Sequence, residues 1–304
     1  MLKLNLRSVL SILSWSRPGI SNLVLKIPGI WCIGTSRSIV KSDIIYLPKD
    51  WSLKSIAYSN SIHCRSCYLG FYNGRHYFAK GTGWIHSNGW EPEHGNAGIL
   101  TKRAADWEVK ILTLIRTTKI KIVRPELVRT FLEIPKTIAS SLRLANEVMD
   151  LDGTPANPSM YVYSSIARWR LADLFFIPKA KLVKSIFKNI SPEEWLKNIL
   201  QSLGKSCAIL HFNGGHDYSL STHNVFTDGT RVDFEHVFYK GLKHHIEVFN
   251  NDIETWQKKE IDGLRNIAWE MADLIDSRCS PQAITSYWKI EYEKTLSRLK
   301  RFSK

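Results

Sequence analysis

What this chain lacks narrows it first. Its five cysteines, Cys32, Cys64, Cys67, Cys207 and Cys279, are odd in number and scattered over 304 residues. That usage excludes a disulfide-stapled scaffold and points to a reducing, cytoplasmic compartment. The single CxxC, in His63-Cys64-Arg65-Ser66-Cys67, has no second pair to complete the four ligands of a structural zinc site. No apolar run is long enough to span a bilayer. Met1 to Ser16 is basic and amphipathic without acidic residues, so peripheral membrane contact or targeting is the most that is expected of it. Internal repeats and low-complexity tracts are absent. The basic runs Lys179 to Lys188 and Lys294 to Lys304 come without a nucleic-acid-binding fingerprint and read as solvated helix faces.

What is present suits one large or two modest lobes, because 44% apolar residues, with 11% aromatic residues among them, can fill a core. With 42 basic against 28 acidic residues, the net charge of +14 favours anionic partners: nucleotide phosphates, nucleic acid, acidic proteins or anionic lipid. Residues 1 to 50, punctuated by Pro18, Pro28 and Pro48, read as an irregular or partly helical extension. Strands come next: Cys67 to Tyr72 and Arg75 to Lys80 flank Asn73-Gly74, a type I′ turn signal. The loop from Gly81 to Gly98, rich in Gly, Asn and His and carrying Trp84 and Trp90, reads as functional and lid-like. Leu100 to Thr117 reads as a helix with Glu108 on it, and Leu142 to Met149, Asp152-Gly153 and Met160 to Tyr163 read as the first arm, turn and second arm of a hairpin leading into a hinge.

Beyond residue 164 the signals turn helical. Ser191-Pro192-Glu193-Glu194 combines an N-cap serine with proline at the first helical position, and Ser280-Pro281 repeats the device. Helices are expected from there to about His211, over Ile253 to Ser277, and over Pro281 to Phe302. Between them lies Asn224-Val225-Phe226-Thr227-Asp228-Gly229-Thr230-Arg231-Val232-Asp233-Phe234-Glu235. Asp228-Gly229 is a strong type I′ hairpin signal, and a hairpin there sets Asn224 and Asp233 side by side. An amide and a carboxylate so placed are the pair with which kinases hold a nucleotide's magnesium. In the same fold a strand Lys is fixed by a Glu of the next helix, a role to which Lys80 and Glu108 correspond.

In that order, Lys, Glu, Asn and Asp resemble the protein-kinase-like superfamily, and several motifs are similar to the selenoprotein O group. Lys80-Gly81-Thr82-Gly83 resembles its KGxGRT strand end, followed by Gly95-Asn96-Ala97-Gly98. Ser219 to Asn224 is similar to its VLNTDN loop, and Asn224 to Asp233 spans nine positions, as in that group. Arg168-Trp169-Arg170-Leu171-Ala172 is similar to its IRxG segment, which implies a phosphate contact by Arg170. The likeness covers residues 67 to 240. It departs at His223, where the group has its catalytic Asp, at Ser219, where ordinary kinases have theirs, and at Tyr163, where the group has a second Arg. Asp233-Phe234-Glu235 is closer to the aminoglycoside phosphotransferases.

The resemblance implies an α+β, two-lobed protein-kinase-like fold: a β-rich N-lobe and hinge over 51–163, a helical C-lobe over 164–304, and the extension 1–50. It implies ATP and Mg2+ as cofactors and transfer of a phosphoryl group to a hydroxyl acceptor on a protein or small molecule. Transfer of AMP (AMPylation) and a nucleotide-binding pseudokinase scaffold are its rivals. Asn224 and Asp233 are the expected metal ligands; Lys80, Glu108 and Arg170 are the expected nucleotide-binding residues. His223 has the intrinsic pKa of a general base, or it holds the loop by hydrogen bonding; His211, His216 and Asp217 offer the same two roles. A His211–His216–His223 metal cluster is irregularly spaced for helix or strand, and Glu235 is expected to support Asp233 or to pair with an Arg.

Overall fold

Residues 2–5, 11–16, 44–47, 66–72, 74–81, 99–131, 148–150, 152–178, 182, 185–244 and 251–303 are described in the computed structural model. Cys64, Trp84, Trp90, Thr82-Gly83, Gly95 to Gly98 and the first arm of the expected hinge hairpin lie outside them. The chain forms two units, Met1–Val109 with Arg124–Ile166, and Lys110–Val123 with Ala167–Lys304.

The first unit holds the strands Leu2–Asn5 (β1), Ser11–Ser16 (β2), Ile44–Leu47 (β3), Ser66–Tyr72 (β4), Arg75–Lys80 (β5), Leu100–Thr101 (β6), Arg124–Phe131 (β7) and Pro158–Ser165 (β8). An antiparallel sheet runs β2-β7-β8-β5-β4, with β6 also on β8, and β1 pairs with β3 separately. The extension thus contributes strands where irregular or helical structure was expected. Leu2-Lys3-Leu4 alternates with the period of a strand, and β2 adds to the edge of β7 from Ser11 opposite Phe131 to Ser16 opposite Leu127.

Met160 to Tyr163, expected as the second arm of a hairpin leading into a hinge, is a strand: it lies in β8, an inner strand paired with β5 and β7. Tyr161, Val162 and Tyr163 are consecutive and fully buried, the pattern of a strand covered on both faces. Tyr163 stacks on Phe78 with ring centroids 5.3 Å apart, so this position serves the core.

Lys102–Ile115 (α1) follows β6 and passes from one unit's residues to the other's. Ala105, Glu108, Ile111, Leu112 and Ile115 form its buried stripe at helical spacing.

In the second unit, Pro192–Phe212 (α2), Ile253–Leu274 (α3) and Pro281–Phe302 (α4) carry most of the core. Ser191 and Ser280 each accept a backbone N–H three residues on, so both cap signals act as the sequence predicts. Leu171, Leu200, Leu203, Leu264, Met271 and Trp288 interdigitate between the helices. A two-stranded ribbon, His216–Asp217 (β9) with Val237–Phe238 (β10), carries the loop between α2 and α3. A strand-dominated unit and a helix-dominated unit make the chain α+β. Among the described residues no helix is long and apolar enough to cross a membrane.

Candidate functional site

In the first unit, Lys80 ends β5 in register with Ser66 on one side and Tyr161 on the other. Inner-strand placement removes its ammonium from water, and a carboxylate on the apolar stripe of α1 is equally unfavourable alone. The two compensate each other. Lys80 Nζ donates to Glu108 Oε2 at 2.7 Å, and the side chains are 2% and 0% exposed. The sequence-predicted lysine and its glutamate therefore meet.

In the second unit, Asn224 ends a 3-10 turn, Thr222–Asn224, and Asp233 precedes another, Phe234–His236. The hairpin between them is not the type I′ turn expected. Gly229 N–H donates to Phe226 O and Phe226 N–H to Thr230 O, and of Thr227, Asp228 and Gly229 only Gly229 has positive φ, at 80°. This is a three-residue loop of type I plus bulge, and it leaves Asp228 in an unstrained region. Its ladder is one bridge, Val225 to Arg231, extended by Arg231 pairing with Lys121 and Val123.

The Asn224 amide is oriented. Its Nδ2 donates to Ser219 O at 2.8 Å, and the residue's backbone carbonyl accepts from Val232 N–H at 3.0 Å. Oδ1 is thereby the end of the side chain directed away from the loop's own acceptor. Asp233 takes the left-handed conformation, φ 68° and ψ 66°, which Asp and Asn tolerate better than other side chains. Carboxylate oxygens of Asp233 and Glu235 lie within 4.8 Å of one another. An amide oxygen and carboxylates are hard donors of the kind Mg2+ prefers. Glu235 Oε1 lies 3.0 Å from His236 Nε2.

The loop's other candidates act as supports. Asp217 is buried and both oxygens are engaged: Oδ1 accepts from Ser219 N and Oγ at 2.9 Å each, and Oδ2 accepts from Arg231 Nη2 at 2.6 Å. It orients the loop and is no free base. His211 lies 2.9 Å from both Tyr292 Oη and Glu260 Oε2, while His216 stacks between Phe238 and Trp256, so no His211–His216–His223 metal site forms. Arg170, expected at a phosphate, is 1% exposed and donates through Nη1 to His223 O at 2.9 Å. Its place here is beneath the loop. Burial, then the charge of Arg170, holds the His223 imidazole below its usual pKa, so it is neutral near pH 7. Thr222 ties the same turn to α3 through Glu270 Oε2 at 2.9 Å.

Two residues went unremarked in the sequence, Arg231 and Glu260. Arg231 is fully buried and donates to both Asp217 and Glu260, the latter at 2.8 Å. Burial pushes the Glu260 carboxyl up, but Arg231, His211 and the Asp217 N–H outweigh it and hold the pKa at about 2. The available signal was a charge at each of two strand- or helix-interior positions, Arg231 between Thr230 and Val232, and Glu260 four residues before Leu264.

No protein-family model matches the chain, and no curated protein matches its sequence. Among solved structures, the chain is similar to WaaP in complex with acyl carrier protein, with TM-score 0.36, 10% identity, and coverage of 78% of this chain and 87% of that one. It is likewise similar to a Toxoplasma gondii rhoptry antigen kinase domain, with TM-score 0.37, 12% identity, and coverage of 78% and 82%.

Proposed function

We propose that the protein is a kinase-like, ATP- and magnesium-dependent transferase that moves a phosphoryl group to a hydroxyl acceptor. The observation that carries this reading is the buried bond between Lys80 and Glu108, 2.7 Å long, which joins a strand-end lysine to the helix that follows. A lysine so fixed is a preorganised cation for nucleotide phosphates. Asn224, through its oriented amide, and Asp233 are the ligands proposed for the magnesium ion, which when bound neutralises phosphate charge. His223, uncharged at neutral pH, is the proposed base for the acceptor hydroxyl. Phosphoryl transfer depends more on positioning and charge than on a base, so the absence of a carboxylate at Ser219 and His223 is tolerable.

A second reading, a nucleotide-binding scaffold, is favoured by one observation: Asp217, the only carboxylate from Asn213 to Thr227, has both oxygens engaged. The selenoprotein O-like alternative, AMP transfer to protein, rests on the loop motifs alone. Incubation of the protein with cell extract and ATP labelled at the α- or γ-phosphate separates the three. Label transferred from the γ-position only, and lost in Asp233→Asn, supports the phosphoryl reading; α-label on the acceptor sinks it in favour of AMP transfer. ATP binding without transfer of either label leaves the scaffold.

A further inference from the structure

We propose that Arg231 and Asp217, anchored by Glu260, form a positioning brace that fixes the donor geometry of Asn224 and Asp233. The proposal rests on the reading of those two residues as metal ligands. Three charged side chains meet with almost no exposure: Arg231 Nη2 donates to Asp217 Oδ2 at 2.6 Å and to Glu260 Oε1 at 2.8 Å. Glu260 Oε2 in turn accepts the Asp217 N–H at 2.9 Å, so the cluster is closed on its backbone side as well.

Burying such a cluster is costly in desolvation, and well-packed apolar residues of similar volume often serve stability equally well or better. What apolar residues cannot do is direct hydrogen bonds. Asp217 Oδ1 takes both the N–H and the Oγ–H of Ser219, and this sets the direction of the Ser219 carbonyl. That carbonyl accepts from Asn224 Nδ2, which decides which end of the amide is left for a cation. Were the Ser219 carbonyl to turn away, the amide would lose the partner that distinguishes its two ends, and an N–H2 group presented to a metal repels it.

The same residue also bears on the second ligand, through its backbone. Arg231 stands two residues before Asp233, and its backbone is clamped by Lys121 O and Val123 N–H at 2.9 and 3.0 Å. Val232 N–H then donates to Asn224 O, which joins the two ligand segments directly. With Arg231 held at both side chain and backbone, the chain reaches the left-handed turn at Asp233 from a fixed start. One buried residue thus ties Asn224 through Asp217 and Ser219, and Asp233 through the chain itself.

The test is Mn2+ binding to the full-length protein in the presence of ADP, read from the EPR signal of free Mn2+, beside the affinity for a fluorescent ADP analogue in EDTA. Disruption of hydrogen bonds behind metal ligands costs about 10–100-fold in metal affinity. Asp217→Asn, near-isosteric but turning an N–H2 group toward Arg231 or Ser219, is expected to weaken Mn2+ at least about tenfold while metal-free ADP affinity stays within about twofold. Arg231→Met is expected to do the same, with Arg231→Lys intermediate. Where Arg231→Met fails to fold, Asp217→Asn and Ser219→Ala decide, since their melting curves report folding independently. If Asp233→Asn abolishes Mn2+ binding but Asp217→Asn leaves it within about twofold, the brace is overturned and the metal reading stands. If Asp233→Asn itself leaves Mn2+ binding unchanged, the metal reading fails and the brace falls with it.

Discussion

Lys80 Nζ and Glu108 Oε2 lie 2.7 Å apart, and neither side chain reaches solvent beyond 2%. Removing one partner of such a pair leaves a charge in a poorly solvated place, typically at a cost of about 3–5 kcal/mol. Lys80→Met is therefore expected to lower unfolding free energy by that order and to abolish ATP binding. The double variant Lys80→Met/Glu108→Leu replaces the pair by apolar volume and is expected to recover most of the stability and none of the binding. Urea unfolding and nucleotide titration check both; a loss below about 1 kcal/mol for Lys80→Met would mean that the pair is solvated.

Asp233 combines an expected metal role with a left-handed backbone. Asn accepts that conformation nearly as well as Asp, whereas Ala is disfavoured there by about 1–2 kcal/mol. Asp233→Asn is expected to melt close to the wild type and to lose Mn2+ binding, while Asp233→Ala loses binding and stability together. Equal melting temperatures for the two variants would contradict the backbone argument.

Gly263 on α3 lets the helix approach the loop: a Cβ built there would stand 2.3 Å from Leu220 O. Backbone cannot yield as a side-chain tip can. Gly263→Ala is expected to cost about 1–3 kcal/mol and to shift the Ser219–Asn224 turn, read as a weaker nucleotide-dependent Mn2+ affinity. A stabilised variant, as expected for Gly→Ala in an open helix, would show that the contact relaxes freely.

Glu260 has a pKa held at about 2 from an ordinary 4.5. A carboxylate depressed in the native state stabilises it above the unfolded pKa, and that contribution disappears as pH falls through the native one. Stability is expected to drop between about pH 4.5 and 2 by on the order of 3 kcal/mol from this group. Glu260→Gln is expected to be less stable than wild type at pH 7 and to have a flatter profile in that window. Thermal melts across the range measure it, and parallel profiles for the two proteins would refute the assignment.

Much of the scaffold was legible because it follows local rules. Ser191 and Ser280 cap the helices their Ser-Pro signals announce, and β4 and β5 bracket Gly74 as the Asn-Gly pair predicts. Lys80 and Glu108 were also identifiable, since a strand-end lysine followed by a helix bearing a glutamate matches the order of the kinase-like pattern. Other features were not. The Asp228-Gly229 turn takes a bulged form because Arg231 pairs with Lys121 and Val123, residues about 110 positions away, and only their register sets where the loop closes.

By itself the sequence determined the order and type of most of the main elements, and which residue types are available for the proposed metal and phosphate contacts, because capping, periodicity and donor chemistry act over a few residues. Only the tertiary structure decided what those residues touch. Arg170 went beneath the loop, Asp217 was engaged on both oxygens, Tyr163 went into the sheet, and Arg231 and Glu260 emerged as the support of the loop. The reason is that a side chain's role depends on its burial and on which distant group satisfies it. Asn224 carries the same amide in any hairpin, but Ser219 O alone settles which end of it is free.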